Sequence, residues 1–186
     1  MRRLFLMAST LLLLLFGGAG NAQAATSTGS FHYLVGTGFL CGLAASACPD
    51  IARADNGDTI RVSGQGDLNA DNKTASGGGT FEHHAANGTL IGSGTWTTTG
   101  LVAFSFFGCG GPGLPSNACG GRAALAVHLK ATAGPAAGHE ADGIMQVECE
   151  IGNPPPGTTE GIRLNVRDLV NFNESVSGFT VFIATS

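Results

Sequence analysis

Glycine interrupts almost every stretch of this chain that otherwise reads as a β-strand. Residues 76–96, SGGGTFEHHAANGTLIGSGTW, show the habit most densely. Gly64, Gly66, Gly77, Gly79, Gly92 and Gly94 all fall inside strand-like segments. An interior glycine weakens a strand, so repeated use of it implies a purpose. Glycine lets a sheet bend sharply at a corner, and it lets another surface come close. Asn87-Gly88 is a tight-turn signal, because both residue types tolerate positive φ. The triplets Gly79-Thr80-Phe81 and Gly94-Thr95-Trp96 flank that turn like two strands of one meander.

The rest of the chain continues the pattern. Charged residues make up only 12% of it, against 30 glycines, so charge-rich helices cannot be built. No amphipathic helical run of useful length occurs. Strand signals recur instead at 31–36, 59–66, 79–84, 89–98, 101–107, 122–131, 143–151, 161–166 and 178–185. Short links make them mostly antiparallel. The expectation is an all-β fold, a single small antiparallel β-barrel of eight or nine strands, with a β-sandwich as the alternative. Residues 41–58 read as irregular with one helical turn near 46–54. CGGPGLPSNACGG and GNPPPGTTEG read as loops, the three prolines forbidding regular pairing.

The first 24 residues have another character. Arg2 and Arg3 precede a short leucine-rich run, and Ala22-Gln23-Ala24 is a small-residue cleavage site. That is a secretory signal peptide, too short for a membrane anchor. Its arginine pair also touches the twin-arginine export pattern, although the greasy core favours the general route. Residues 25–186 then form one domain, secreted or periplasmic, with no membrane insertion expected. Losing two of nine basic residues makes the domain more acidic than the formal −4 of the whole chain. No basic patch for nucleic acid remains.

All five cysteines follow the leader, in a compartment where disulfides persist. Cys41 with Cys48 and Cys109 with Cys119 could each close a local loop. Cross-pairing stays open, since spacing does not fix connectivity. Cys149 lies on one strand face with Met145, Val147 and Ile151, where a thiol packs as a small hydrophobe.

GDTIRVSGQG, GGGTFEHH and GTWTTTGLVAFSFFG, with ECEIGNPPPGTTEGIRLNV and FNESVSGFTVF, resemble a family of small secreted bacterial proteins of uncharacterised function. That resemblance implies no activity or cofactor. More loosely, the glycine-rich meander after a signal peptide is similar to the barrels of dirigent proteins and allene oxide cyclases, in architecture only.

Chemistry-bearing residues are few. His83 and His84 are adjacent, so a strand points them to opposite faces. His83 could meet a metal only together with His128, His139 or His32, and no spacing demands it; neither a metal nor a cofactor is assigned. Gln146, Glu148 and Glu150 share a polar face, expected outermost. Were that face the lumen, Glu148 and His128 would form an acid/base pair. Catalytic candidates are therefore His128, Glu148 and His83. For a small apolar ligand, the candidate wall is Phe81, Trp96, Phe104 and Phe106. The leading expectation is a non-catalytic binding module. The alternatives are a cyclase- or isomerase-type barrel enzyme and a purely structural envelope protein.

Overall fold

The computed structural model describes residues 28–111 and 113–185; the leader read at 1–24 lies outside them. Eleven strands occur among the described residues, all paired antiparallel. They are β1 (Ser30–Val35), β2 (Asp50–Arg53), β3 (Thr59–Asn69), β4 (Thr74–His84), β5 (Leu90–Cys109), β6 (Ala118–Ala133), β7 (Glu140–Cys149), β8 (Gly161–Val166), β9 (Val170–Phe172), β10 (Glu174–Ser177) and β11 (Thr180–Ala184). From β3 to β9 the chain is a meander, each strand pairing with the next. β1 lies between β3 and β11, and β11 meets β6 at Phe182 and Cys119. The sheet thus closes a ring. Closed antiparallel pairing is common to a barrel and to a flattened, sandwich-like ring.

The expected eight or nine strands are eleven, with β9 and β10 in a stretch not read as strand, and two further expectations need correction. The segments 89–98 and 101–107 are one 20-residue strand, β5, and Thr99-Gly100 is no link. The register against β6 shifts there instead, and again between Leu101 and Ala103 and between Phe106 and Gly108. Each extra residue bends a long strand around the ring without ending its pairing. Residues 50–53, expected within the irregular segment, form β2, which covers the edge of β3 from Thr59 to Val62. The helical turn falls earlier, at Gly38–Gly42.

The ring is filled by one face of each strand. Tyr33, Ile60, Val62, Leu125, Met145, Ile162, Leu164, Phe172 and Phe182 are all buried there. The glycines of β3 and β4 follow from this filling. A Cβ on Gly64 would stand 2.4 Å from the Trp96 ring, and one on Gly66 would stand 2.5 Å from the Tyr33 hydroxyl. The sheet lacks side chains where two large aromatics lie across it. Each aromatic keeps its polar atom satisfied. Trp96 Nε1 donates to the Ser63 carbonyl at 3.3 Å, and the Tyr33 hydroxyl lies 3.0 Å from the Ser76 carbonyl and 2.7 Å from Thr98 Oγ1.

At the β4–β5 hairpin only Gly88 takes positive φ, at 84°. Asn87 does not. Its Oδ1 accepts the Thr89 N–H at 3.0 Å, so the side chain shapes the loop while glycine supplies the left-handed residue. Both disulfides are the local ones, Cys41–Cys48 and Cys109–Cys119. Cys149 is a buried free thiol, and burial pushes its pKa up.

Candidate active-site cavity at the mouth of the ring

A cavity of about 660 Å³ opens at the end of the ring where β3 and β7 begin and β4 and β6 end. Its apolar lining includes Ile60, Phe81, Leu129, Val166 and Phe172, each contributed by a different strand. The volume is that of a small-molecule site. Below it, Phe81 and Leu129 also border the tight group of Val62, Trp96, Val127, Met145 and Leu164. The cavity therefore ends on a packed core.

His83 enters this cavity from β4, opposite Ile60 on β3 and Gly92 on β5. Its ring stands edge-on to Phe172, with centroids 5.2 Å apart. Nε2 lies 3.2 Å from Asp58 Oδ2. The aspartate is itself fixed: Oδ1 accepts the Ala86 N–H at 3.1 Å, and its backbone N–H donates to Asn56 Oδ1 at 3.0 Å. Gly57 makes the approach of the two loops close, since a Cβ there would lie 2.9 Å from that of Ala86. The result is a half-buried imidazole backed by a carboxylate, above an apolar floor. Asp58 belongs to the stretch read as irregular, and only the loop contact brings it to His83.

The rim is charged and exposed. Glu140 meets Lys130 at 2.8 Å and His128 Nε2 at 3.5 Å, and Asp142 meets His128 Nδ1 at 2.9 Å. The hydrogen bond to Asp142 raises the His128 pKa, and Lys130 lowers that of Glu140. His139 also lines the opening.

The other expected site residues lie elsewhere. His128 faces solvent outside the ring, and Glu148 is six residues from Asp142, the β7 partner of His128. The acid/base pair of Glu148 and His128 does not form. Of the polar face Gln146, Glu148 and Glu150, Glu150 is exposed and Gln146 half-buried, but the Glu148 side chain is completely buried. Its Oε1 accepts from Arg122 Nε at 2.7 Å and from Arg122 Nη2. Its Oε2 accepts from Arg163 Nη1 and Gln146 Nε2, both at 2.8 Å. Two guanidiniums and an amide screen it from water. That is a structural ion network, closed to substrate.

The aromatic wall also divides. Phe81 lines the cavity, while Trp96 lies beneath its floor. Phe104 and Phe106 stack on Phe31, at centroid distances of 5.0 and 5.7 Å, and Phe104 also meets Phe182 at 5.1 Å. The bulges of β5 separate the two halves, so residues of like type on one long strand serve different parts of the ring.

Among the described residues, no three His, Cys, Asp or Glu side chains gather as a metal site requires. His84, on the opposite face from His83, is occupied by Glu82 at 3.1 Å and the Gly88 carbonyl at 3.1 Å. His32 pairs with Asp67 at 2.9 Å. A second hollow of about 500 Å³ is polar, and its polar groups are engaged: Arg53 meets Glu174, Asn173 donates to Asp55, and Arg163 pairs with the buried Glu148. No helix among the described residues is long and apolar enough to cross a membrane. Compared with family models, curated proteins and solved structures, the chain finds no match.

Proposed function

We propose that this chain is a secreted or periplasmic protein that binds a small, largely apolar molecule in the mouth cavity. One observation carries the reading: a cavity of about 660 Å³ has an apolar floor and a half-buried polar pair, His83 and Asp58, on its wall. Apolar lining supplies affinity through burial, and a few placed polar groups set orientation. The two disulfides suit an oxidising compartment. A titration with N-phenyl-1-naphthylamine, which brightens on leaving water, tests this. Saturable brightening is expected in the wild type and should be lost in Ala136→Phe, which fills the opening from the β6–β7 loop. Circular dichroism confirms that the variant is folded. A flat titration of the wild type overturns the reading.

A second reading, a cyclase- or isomerase-type enzyme, draws on the same dyad, because a carboxylate-backed imidazole is the arrangement of a general base. Ligand extracted from the exported protein separates the two. A binder returns it unchanged on re-incubation, and an enzyme converts it to a product of different chromatographic retention.

A further inference from the structure

Of the polar groups that line the mouth cavity, two are half-buried and the remainder sit exposed at its edge. Asn56, His139, Glu140, Asp142 and Arg167 are exposed, whereas Asp58 and His83 are not. Both oxygens of Asp58 are already engaged, Oδ1 with the Ala86 N–H and Oδ2 with His83 Nε2. A carboxylate only accepts hydrogen bonds, so the proton of the neutral imidazole belongs on Nε2. The other ring nitrogen, Nδ1, then carries a lone pair. No partner for it occurs among the described residues. Among the described residues, the half-buried side-chain atom left to a bound molecule is therefore an acceptor.

We infer that the cavity selects hydrogen-bond donors: apolar molecules carrying a hydroxyl, a phenol or an N–H that points at His83 Nδ1. This rests on the binding reading above and adds a chemical class to it. A ligand whose polar group only accepts, such as an ether or a tertiary amide, would face a lone pair with its own lone pair. It would also lose the water that serves its oxygen. Sites built to hydrogen-bond a donor reject analogues that lack one far more strongly than they reject a change of size. Asp58 is a positioning residue in this account. It sets which nitrogen of His83 is protonated and does not touch the ligand.

The test compares three probes of similar shape by calorimetry on the processed, exported protein: naphthalene, 1-methoxynaphthalene and 1-naphthol. It is run near pH 7.5, about one unit above the ordinary histidine value. The expected order is 1-naphthol tightest, by about tenfold over 1-methoxynaphthalene, the effect of one additional hydrogen bond. His83→Phe should bring the two within about twofold while naphthalene still binds, since only the acceptor is lost. Asp58→Asn should shrink or reverse the preference, because an amide can present a donor to Nε2 and move the ring proton to Nδ1. A residue that merely supported the fold would weaken all three probes together. Equal binding of 1-naphthol and 1-methoxynaphthalene by the wild type, with naphthalene bound, overturns the donor inference and leaves the binding reading standing. Failure of all three to bind the folded wild type overturns both. The wild-type series decides the matter even if a variant fails to fold.

Discussion

Glu148 on β7 and Asp50 on β2 are both completely withdrawn from solvent, yet their surroundings are opposite. Glu148 receives donors on both oxygens from Arg122, Arg163 and Gln146. Asp50 receives only backbone donors, chiefly the Ile162 N–H to Oδ1 at 3.2 Å, and its Oδ2 has no partner among the described residues. It is packed between Gly161 and Gly178, where any Cβ would collide with it. Burial, with the charge of nearby Glu160 adding to it, pushes the Asp50 carboxyl from an ordinary 3.8 up to about 8. Glu160 is itself raised by burial. The lesson is that burial alone does not decide whether an acid is satisfied. The supply of donors does. The location of Asp50 matters too, since β2 and β10 meet β8 there through side-chain contacts such as Asp50 to Ile162 and Ser175 to the Glu160 carbonyl.

The largest expected effect comes from turning Glu148 into a second Asp50. Arg122→Ala with Arg163→Ala leaves a buried carboxylate without a cationic partner, and should cost about 3–5 kcal/mol in urea unfolding. A small loss would show that water reaches Glu148 and that the contrast with Asp50 is false.

Next in size is Asp50 itself. Its folded pKa lies above its unfolded one, so between the two the folded chain holds the extra proton. The associated stability is fully present below about pH 3.8 and is lost progressively as pH rises towards about 8. Asp50→Asn, neutral at every pH, should flatten that slope and raise stability near pH 8 by roughly 1–3 kcal/mol, the cost of an unsatisfied buried group. Parallel pH profiles for the two proteins would mean that Asp50 is ionised and satisfied after all. The smallest effect is Arg122→Lys. Its side chain is 40% exposed, and Arg163 and Gln146 still hold Glu148. A loss under about 1 kcal/mol is expected, measured as a shift in the urea midpoint.

Much of the fold was legible because it depends on local rules. Alternating apolar residues place Ile60 and Val62, or Leu125, Val127 and Leu129, on one strand face whatever lies beside them. Turn chemistry marked the Ala85–Gly88 loop. Cysteine spacing marked both disulfides without choosing between pairings. The bulges of β5 were not legible, since a register shift is a relation between two strands. Two of them also lie between Trp96 and Phe104, which serve different parts of the ring although both stand on β5. Strand parity put His83 and His84 on opposite faces without saying which face is inward, and gave no sign of Asp58. That partner comes from a loop whose composition, Ala-Asp-Asn-Gly-Asp, reads only as a turn.

The sequence by itself determined that this chain is antiparallel β-structure with glycines where something large must lie against the sheet. Pattern, turn residues and composition act over a few residues and are written in order along the chain. Only the tertiary structure decided which buried acid is paired, which histidine faces the cavity, and that Trp96 lies below the floor of the site. Those outcomes depend on distances between residues far apart in sequence. A few ångströms there separate a screened carboxylate from an unsatisfied one.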